Sequence, residues 1–184
     1  YFIMRFNAFT AHHDVGIKGI SLDQKRQLIN ILKPYGNIFI TTEKEIEPEL
    51  EQYKLKISPE KIHSLLYYAT MFIGDSQTMT SEAAMLGTPS LKVNSFAGKL
   101  SVPNELEQKY QLCYSFLPDE FDNMIEKIKE LLNTPNLKQE FQQRRQKMLS
   151  DKIDVTAFMV WFVENYPESA KIMKENLEYQ YNFR

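Results

Sequence analysis

Only one cysteine, Cys113, occurs in the 184 residues, so no internal disulfide can form. Its neighbours Leu112 and Tyr114 place it in a strand rather than at a reactive site, and a reducing cytoplasm suits such a chain. Excess charge is lacking as well: 22 basic residues face 24 acidic ones, for a net of -2. No bulk field draws the chain to a polyanion, which removes nucleic acid as an expected partner. The longest apolar run, Ala157 to Val163, is far short of the roughly 20 residues that cross a bilayer, so a transmembrane protein is not expected. No basic segment followed by an apolar one opens the chain, and neither an internal repeat nor a low-complexity stretch interrupts it. An initiator methionine is missing too. The chain starts on YFIMRF, which has the composition of a core strand, and it reads as a piece of a longer protein.

What remains is ordinary globular composition, 43% apolar and 12% aromatic, enough for one well-packed core. Tyr1 to Phe6 is a nearly continuous apolar run, broken by Arg5, as in a strand covered on both faces. A long loop follows, and Ser21 caps a helix that stops near Pro34 to Gly36. Further strands are expected at Asn37 to Thr41, Leu55 to Ile57, Met71 to Ile73, Ser90 to Val93 and Cys113 to Phe116. Between them lie an acidic segment, Glu43 to Glu51, a helix started by Ser58 and Pro59, and a modest helix over Asn104 to Tyr110. Asp119 opens an amphipathic helix with Phe121, Met124, Ile125, Ile128, Leu131 and Leu132 at spacings of three and four. A polar helix over Leu137 to Leu149, a very apolar one over Val155 to Val163 capped by Asp154, and an amphipathic tail after Pro167 complete the chain.

Strands alternating with helices argue for an α/β fold of the Rossmann-like type, a doubly wound parallel sheet with additional C-terminal helices. The expected division is residues 1–150 for the sheet domain and 151–184 for helices that pack on it or toward another domain. Ligands bind such sheets at the carboxyl ends of the strands, so the loops Phe6 to Ser21, Thr41 to Gln52, Gly74 to Thr78 and Asn94 to Ser101 are expected on one edge.

The most informative stretch is Met71 to Asn94, MFIGDSQTMTSEAAMLGTPSLKVN. A buried strand feeds a short helix through a turn of Gly and small polar residues, Gly74 to Thr78, which aims backbone N–H groups and the positive end of the helix dipole at one point. That point suits a phosphate. Glu82 follows within the helix. A glutamate near a helix start commonly closes a capping box, but the box needs Ser or Thr three positions earlier and Met79 stands there. Glu82 instead shares a line with Thr78, and its carboxylate leans back beside the turn, placed to accept bonds from two vicinal ribose hydroxyls.

The segment GDSQTMTSEAAMLGTPSLKVN resembles the nucleotide-binding segment in the C-terminal domain of GT-B-type glycosyltransferases and of the non-hydrolysing UDP-N-acetylglucosamine 2-epimerases. Most of the chain is similar to the later part of an uncharacterised prokaryotic family, a domain of unknown function grouped with those enzymes. The loop AHHDVGIKG is a second, weaker piece of the likeness. The resemblance implies a nucleotide-sugar, a UDP-sugar above all, as substrate with no tightly bound cofactor. It also implies that Ser76, Gln77 and Thr78 meet the diphosphate, that Glu82 holds the ribose, and that a missing N-terminal domain of the same protein supplies the acceptor side. The chain alone would then bind donor without turning it over. Epimerases carry His-Arg-Arg-Glu-Asn after the first strand; here His12, His13 and Asp14 stand without the arginines, which argues against an epimerase reaction. Paired glycines common in glycosyltransferases are replaced by Gln77 and Thr78.

His12 and His13 are the candidate catalytic residues, as contacts to phosphate or sugar. A metal site is not expected there, because no Cys or second His and carboxylate group backs them up at ligand spacing. His63 reads as structural, on a helix flanking the same cleft, and Asp75 as orienting the turn by bonding its own downstream N–H groups. Arg5 requires an acidic partner or an edge, and the basic run Gln142 to Lys147 reads as a solvated helix face. Two other readings stay open: a non-catalytic nucleotide-sensing or assembly module, and a transferase using a CDP-alcohol donor.

Overall fold

A computed structural model describes residues 1–7, 19–42 and 45–184. His12, His13 and Asp14 lie outside the described residues. The chain divides into two compact units, Tyr1–Arg145 and Gln146–Arg184.

In the first unit the apolar runs become β1 (Phe2–Phe6), β2 (Ile38–Thr42), β3 (Met71–Gly74), β4 (Ser90–Val93) and β5 (Cys113–Phe116). All pair in parallel, in the order β2-β1-β3-β4-β5. The chain leaves β1 to one side for β2 and returns to the other side for β3, so the strand order reverses between β1 and β3. That reversal opens a crevice at their carboxyl ends. The expected strand Leu55 to Ile57 does not form. The segment touches β2 through the Leu55 N–H bond to the Ile40 carbonyl, 2.8 Å, and one bridge between Ile40 and Lys54, then enters a 3-10 turn at Pro59–Lys61. Proline at the first turn position removes the donor that would have extended the ladder.

Helices cover both faces. On one lie α2 (Ile62–Tyr68), α3 (Gln77–Met85) and α4 (Ser101–Gln108), with Ile3, Leu66, Phe72 and Ala83 as the buried cluster. The last of these begins three residues earlier than the sequence suggests. On the other face lie α1 (Leu22–Leu32) and α5 (Phe121–Leu132). Lys25 of α1 sets its ammonium 4.5 Å from the centre of the Phe6 ring and pairs with Glu47 at 2.6 Å. Five of the six expected apolar anchors of α5, from Phe121 to Leu131, are buried, and Leu132 at its end is half-buried. Ser21 caps α1 with a full capping box to Gln24.

The helix α6 (Leu137–Asp151) corrects the expectation of a solvated basic face. Gln142 donates to the carbonyls of Leu86 and Gly87 at 2.9 and 3.1 Å, and Arg145 to that of Met85 at 2.9 Å. These carbonyls end α3 and have no partner within it, so the polar side chains finish its C-terminus.

In the second unit Asp154 caps α7 (Val155–Glu164) through the Ala157 N–H at 2.9 Å. One side of α7 joins an aromatic cluster: Trp161 stacks on Tyr179 at 4.9 Å, and Phe158 meets Phe183 edge-on at 5.6 Å. Val155, Met159, Val160 and Val163 stay exposed. The helix α8 (Glu168–Glu175) and a 3-10 stretch, Leu177–Phe183, follow. Among the described residues no helix is long and apolar enough to cross a membrane.

Candidate functional site

The site is built where β3 ends. Gly74 sits opposite Arg5, and a Cβ there would stand 2.2 Å from the Arg5 carbonyl oxygen. Only glycine lets β1 and β3 run together up to the turn. The next residue, Asp75, is 2% exposed, and its carboxylate accepts the N–H of Asn7 at 2.7 Å and of Ile20 at 3.4 Å. Its role is therefore not the expected bond to its own downstream amides. It ties Asn7, at the end of β1, and Ile20, just before α1, to the turn. Burial pushes the Asp75 carboxyl up to about 6, opposed by the two amide bonds and by the Lys25 charge.

Ser76 is the N-cap of α3: its hydroxyl accepts the Met79 N–H at 3.4 Å, and its carbonyl accepts both the Thr80 N–H and the Thr80 hydroxyl. The helix starts at Gln77, one residue before the expected end of the turn. The amides of Gln77 and Thr78, as the first two helical residues, have no acceptor inside the helix. Thr78 is exposed at this mouth.

The strand β4 holds the turn from beneath. Alternate residues on one face reach it in sequence: Ser90 Oγ donates to the Thr80 carbonyl at 3.0 Å, Lys92 Nζ to Gln77 Oε1, and Asn94 Nδ2 to the Asp75 carbonyl at 2.9 Å. Residue-type reading missed this ladder. The signal was present as Ser-x-Lys-x-Asn, a period of two in polar residues within a strand that packs helices on both faces.

Glu82 lies further along α3, with its side chain 30% exposed and Oε2 3.5 Å from Nε2 of His63 on α2. His63, expected to be structural, instead faces this carboxylate with its own side chain 62% exposed. Beside the pair, Ile62 and Met79 line a cavity of about 340 Å³ together with Arg5, Thr41, Leu55 and Ile57. Arg5 is thus at the mouth of β1, on the wall of this cavity. Its size is within the range of small-ligand sites, and its walls are mainly apolar with a few polar groups. The turn, Glu82 and the cavity all belong to the carboxyl edge of β1, β2 and β3.

Residues 7–168 match a family described as "Protein of unknown function (DUF354)". The chain belongs to the DUF354 family. The fold of this DUF354 chain is GT-B-like: it superposes on CalG4, the calicheamicin glycosyltransferase, with a TM-score of 0.55 and 15% identity, covering 90% of this chain and 43% of that one. A UDP-N-acetylglucosamine 2-epimerase from Listeria monocytogenes, itself a tentative assignment, is similar at a TM-score of 0.49 and 11% identity, over 81% of this chain and 43% of that one. The glycotransferase of kitacinnamycin gives 0.48 and 12%, over 78% and 38%. The DUF354 chain therefore spans less than half the length of these solved proteins. A stretch of 117 residues is 27% identical to DNA-directed RNA polymerase IV subunit 1 of Arabidopsis thaliana, which is 59% of this chain and 8% of that subunit. So small a share of the subunit carries no function across.

Proposed function

We propose that this domain binds a nucleotide-sugar, a UDP-sugar in the first instance, as the donor-binding half of a GT-B-type glycosyltransferase or sugar-nucleotide epimerase-like protein. The observation that carries the reading is the juxtaposition at one sheet edge of the α3 N-terminus, the Glu82 carboxylate and a cavity of about 340 Å³. These are the three things a nucleoside diphosphate requires: donors for the diphosphate, an acceptor for ribose hydroxyls, and an apolar slot for a base. Ser76, Gln77 and Thr78 meet the diphosphate, Glu82 the ribose, and the cavity between Ile57, Ile62 and Met79 the base. No tightly bound metal is called for, since amides at a helix start and fixed side-chain donors offset the phosphate charge. His12 and His13, in the sequence between Asn7 and Ile20, are the candidates for contact with the transferred sugar. A second, N-terminal domain supplies the acceptor, and the exposed apolar side of α7 packs toward it. Residence in the cytoplasm accords with the single free thiol.

Calorimetric titration with UDP, CDP and their sugar conjugates tests the reading. UDP is expected to bind, and more tightly than CDP. Absence of binding by any nucleotide to a folded sample at millimolar concentration would refute the donor site. Preference for CDP would move the assignment to a transferase using a CDP-alcohol.

A further inference from the structure

Lys92 lies on a central strand, is 0% exposed, and has no carboxylate within ion-pair distance among the described residues. Its one hydrogen-bond partner among the described residues is the neutral amide of Gln77, the first residue of α3. Glu107, whose charge favours the ammonium, is itself engaged by the Ser115 N–H at 3.0 Å. Cys113 lies opposite Ser90 on the same face, but burial pushes its thiol up to about 12, so it is uncharged at neutral pH. Burial of an ammonium with no carboxylate in contact opposes folding, and it draws Lys92 down to about 8 against the more distant Glu107 charge. A methionine or leucine would fill this place on the strand at no such cost.

The chemistry of the pair shows what the cost supports. An ammonium can only donate, so the side-chain oxygen of Gln77 must be the atom turned toward Lys92. The NH2 of Gln77 is then turned away from it, and that nitrogen is buried with no acceptor among the described residues. The hydroxyl of Ser115, the residue opposite Lys92 in β5, is also buried without a partner among the described residues. The remaining ammonium protons, the Gln77 NH2, and the amides of Gln77 and Thr78, which no carbonyl of the helix can accept, therefore lie together at one helix start. Such a set is complete only with an anion.

We propose that Lys92 is the positioning residue of a phosphate subsite: it fixes the Gln77 side chain with its NH2 offered to a phosphate group and sets its own charge, with no carboxylate in contact among the described residues, beneath that group. The ligand class is a phosphate or diphosphate, and its placement within a nucleotide rests on the donor-site reading above.

The test compares wild type, Lys92→Met and Gln77→Glu by calorimetry against uridine, UDP and inorganic pyrophosphate, with thermal melting alongside. Lys92→Met removes a buried charge and is expected to melt no lower than wild type. It should weaken UDP and pyrophosphate at least about tenfold while leaving uridine unchanged, since the lost term is a charge-assisted one. Gln77→Glu places a carboxylate against Lys92 and at a helix N-terminus; it should raise the melting temperature and still lose pyrophosphate. A merely structural lysine would show the opposite stability changes and no selectivity between uridine and UDP. Equal UDP affinity in wild type and both variants would overturn the proposal and leave the donor site standing. Pyrophosphate binding that depends on Lys92 without any nucleotide binding would uphold the subsite and refute the nucleotide reading. No binding of pyrophosphate or UDP by wild type would overturn both.

Discussion

Asp75→Asn is the substitution whose effect follows most directly from the structure. The Asp75 carboxylate is nearly inaccessible, holds Asn7 and Ile20 by their amides, and has its pKa raised to about 6 by burial, against an unperturbed 3.8. A carboxyl whose pKa is higher folded than unfolded is protonated preferentially in the native state. It therefore weighs against folding above the folded value, and that penalty is relieved as pH falls from about 6 toward 4. The full difference corresponds to about 3 kcal/mol, of which about 2 kcal/mol is recovered on going from pH 7.5 to pH 4.5. Asparagine has no charge to titrate. Its side-chain oxygen still accepts from Asn7, while its NH2 faces the Ile20 N–H, the longer of the two bonds, at a cost of about 1 kcal/mol. The other carboxylates are shared by both proteins and cancel in the difference. Urea unfolding followed by circular dichroism at several pH values should show wild type gaining about 2 kcal/mol on Asp75→Asn as the solution is acidified to pH 4.5. Parallel stability curves, separated by the same amount at every pH, would show that the carboxyl is not held in the low-dielectric setting described here.

Glu82→Ala should weaken UDP more than tenfold and pyrophosphate hardly at all, because two charge-assisted ribose bonds are worth roughly 1.5–3 kcal/mol each; calorimetry with both ligands would show an error in the ribose assignment as unchanged UDP affinity. Gly74→Ala forces a methyl group to 2.2 Å from the Arg5 carbonyl, so β1 and β3 must separate beside the turn, at a cost on the order of 3–4 kcal/mol by urea unfolding. Gly87→Ala meets a φ of +74° at the end of α3 and the Gln142 amide at 2.5 Å, and should cost about 1–2 kcal/mol; a melting temperature equal to wild type would contradict the tight approach of α6.

Much of the first unit is legible in the residues alone. Strands β1 and β3 are short, largely apolar runs, and Gly-Asp-Ser between a strand and a helix marks the turn without reference to any other part of the chain. Ser21 and Asp154 announce their helices because capping is a contact between neighbours in sequence. The same locality explains the errors. Leu55 to Ile57 has the composition of a strand, but whether a strand forms depends on a free edge and enough length to pair, and Pro59 ends the segment too soon. The polar residues of α6 look solvated until α3 is seen to end beneath them.

The sequence by itself determined that a turn of glycine and small polar residues opens a helix at the end of a buried strand, with Glu82 further along that helix, because strand, turn and helix start are set by residues within a few positions of one another. Tertiary structure alone decided what surrounds that turn. Asp75 bonds amides 68 and 55 residues away, Lys92 meets a glutamine 15 residues back across a parallel crossover, and His63 faces Glu82 from another helix. Parallel strands gather at one edge residues that local sequence keeps apart, and only there does a lysine that would otherwise oppose folding stand beneath the start of a helix.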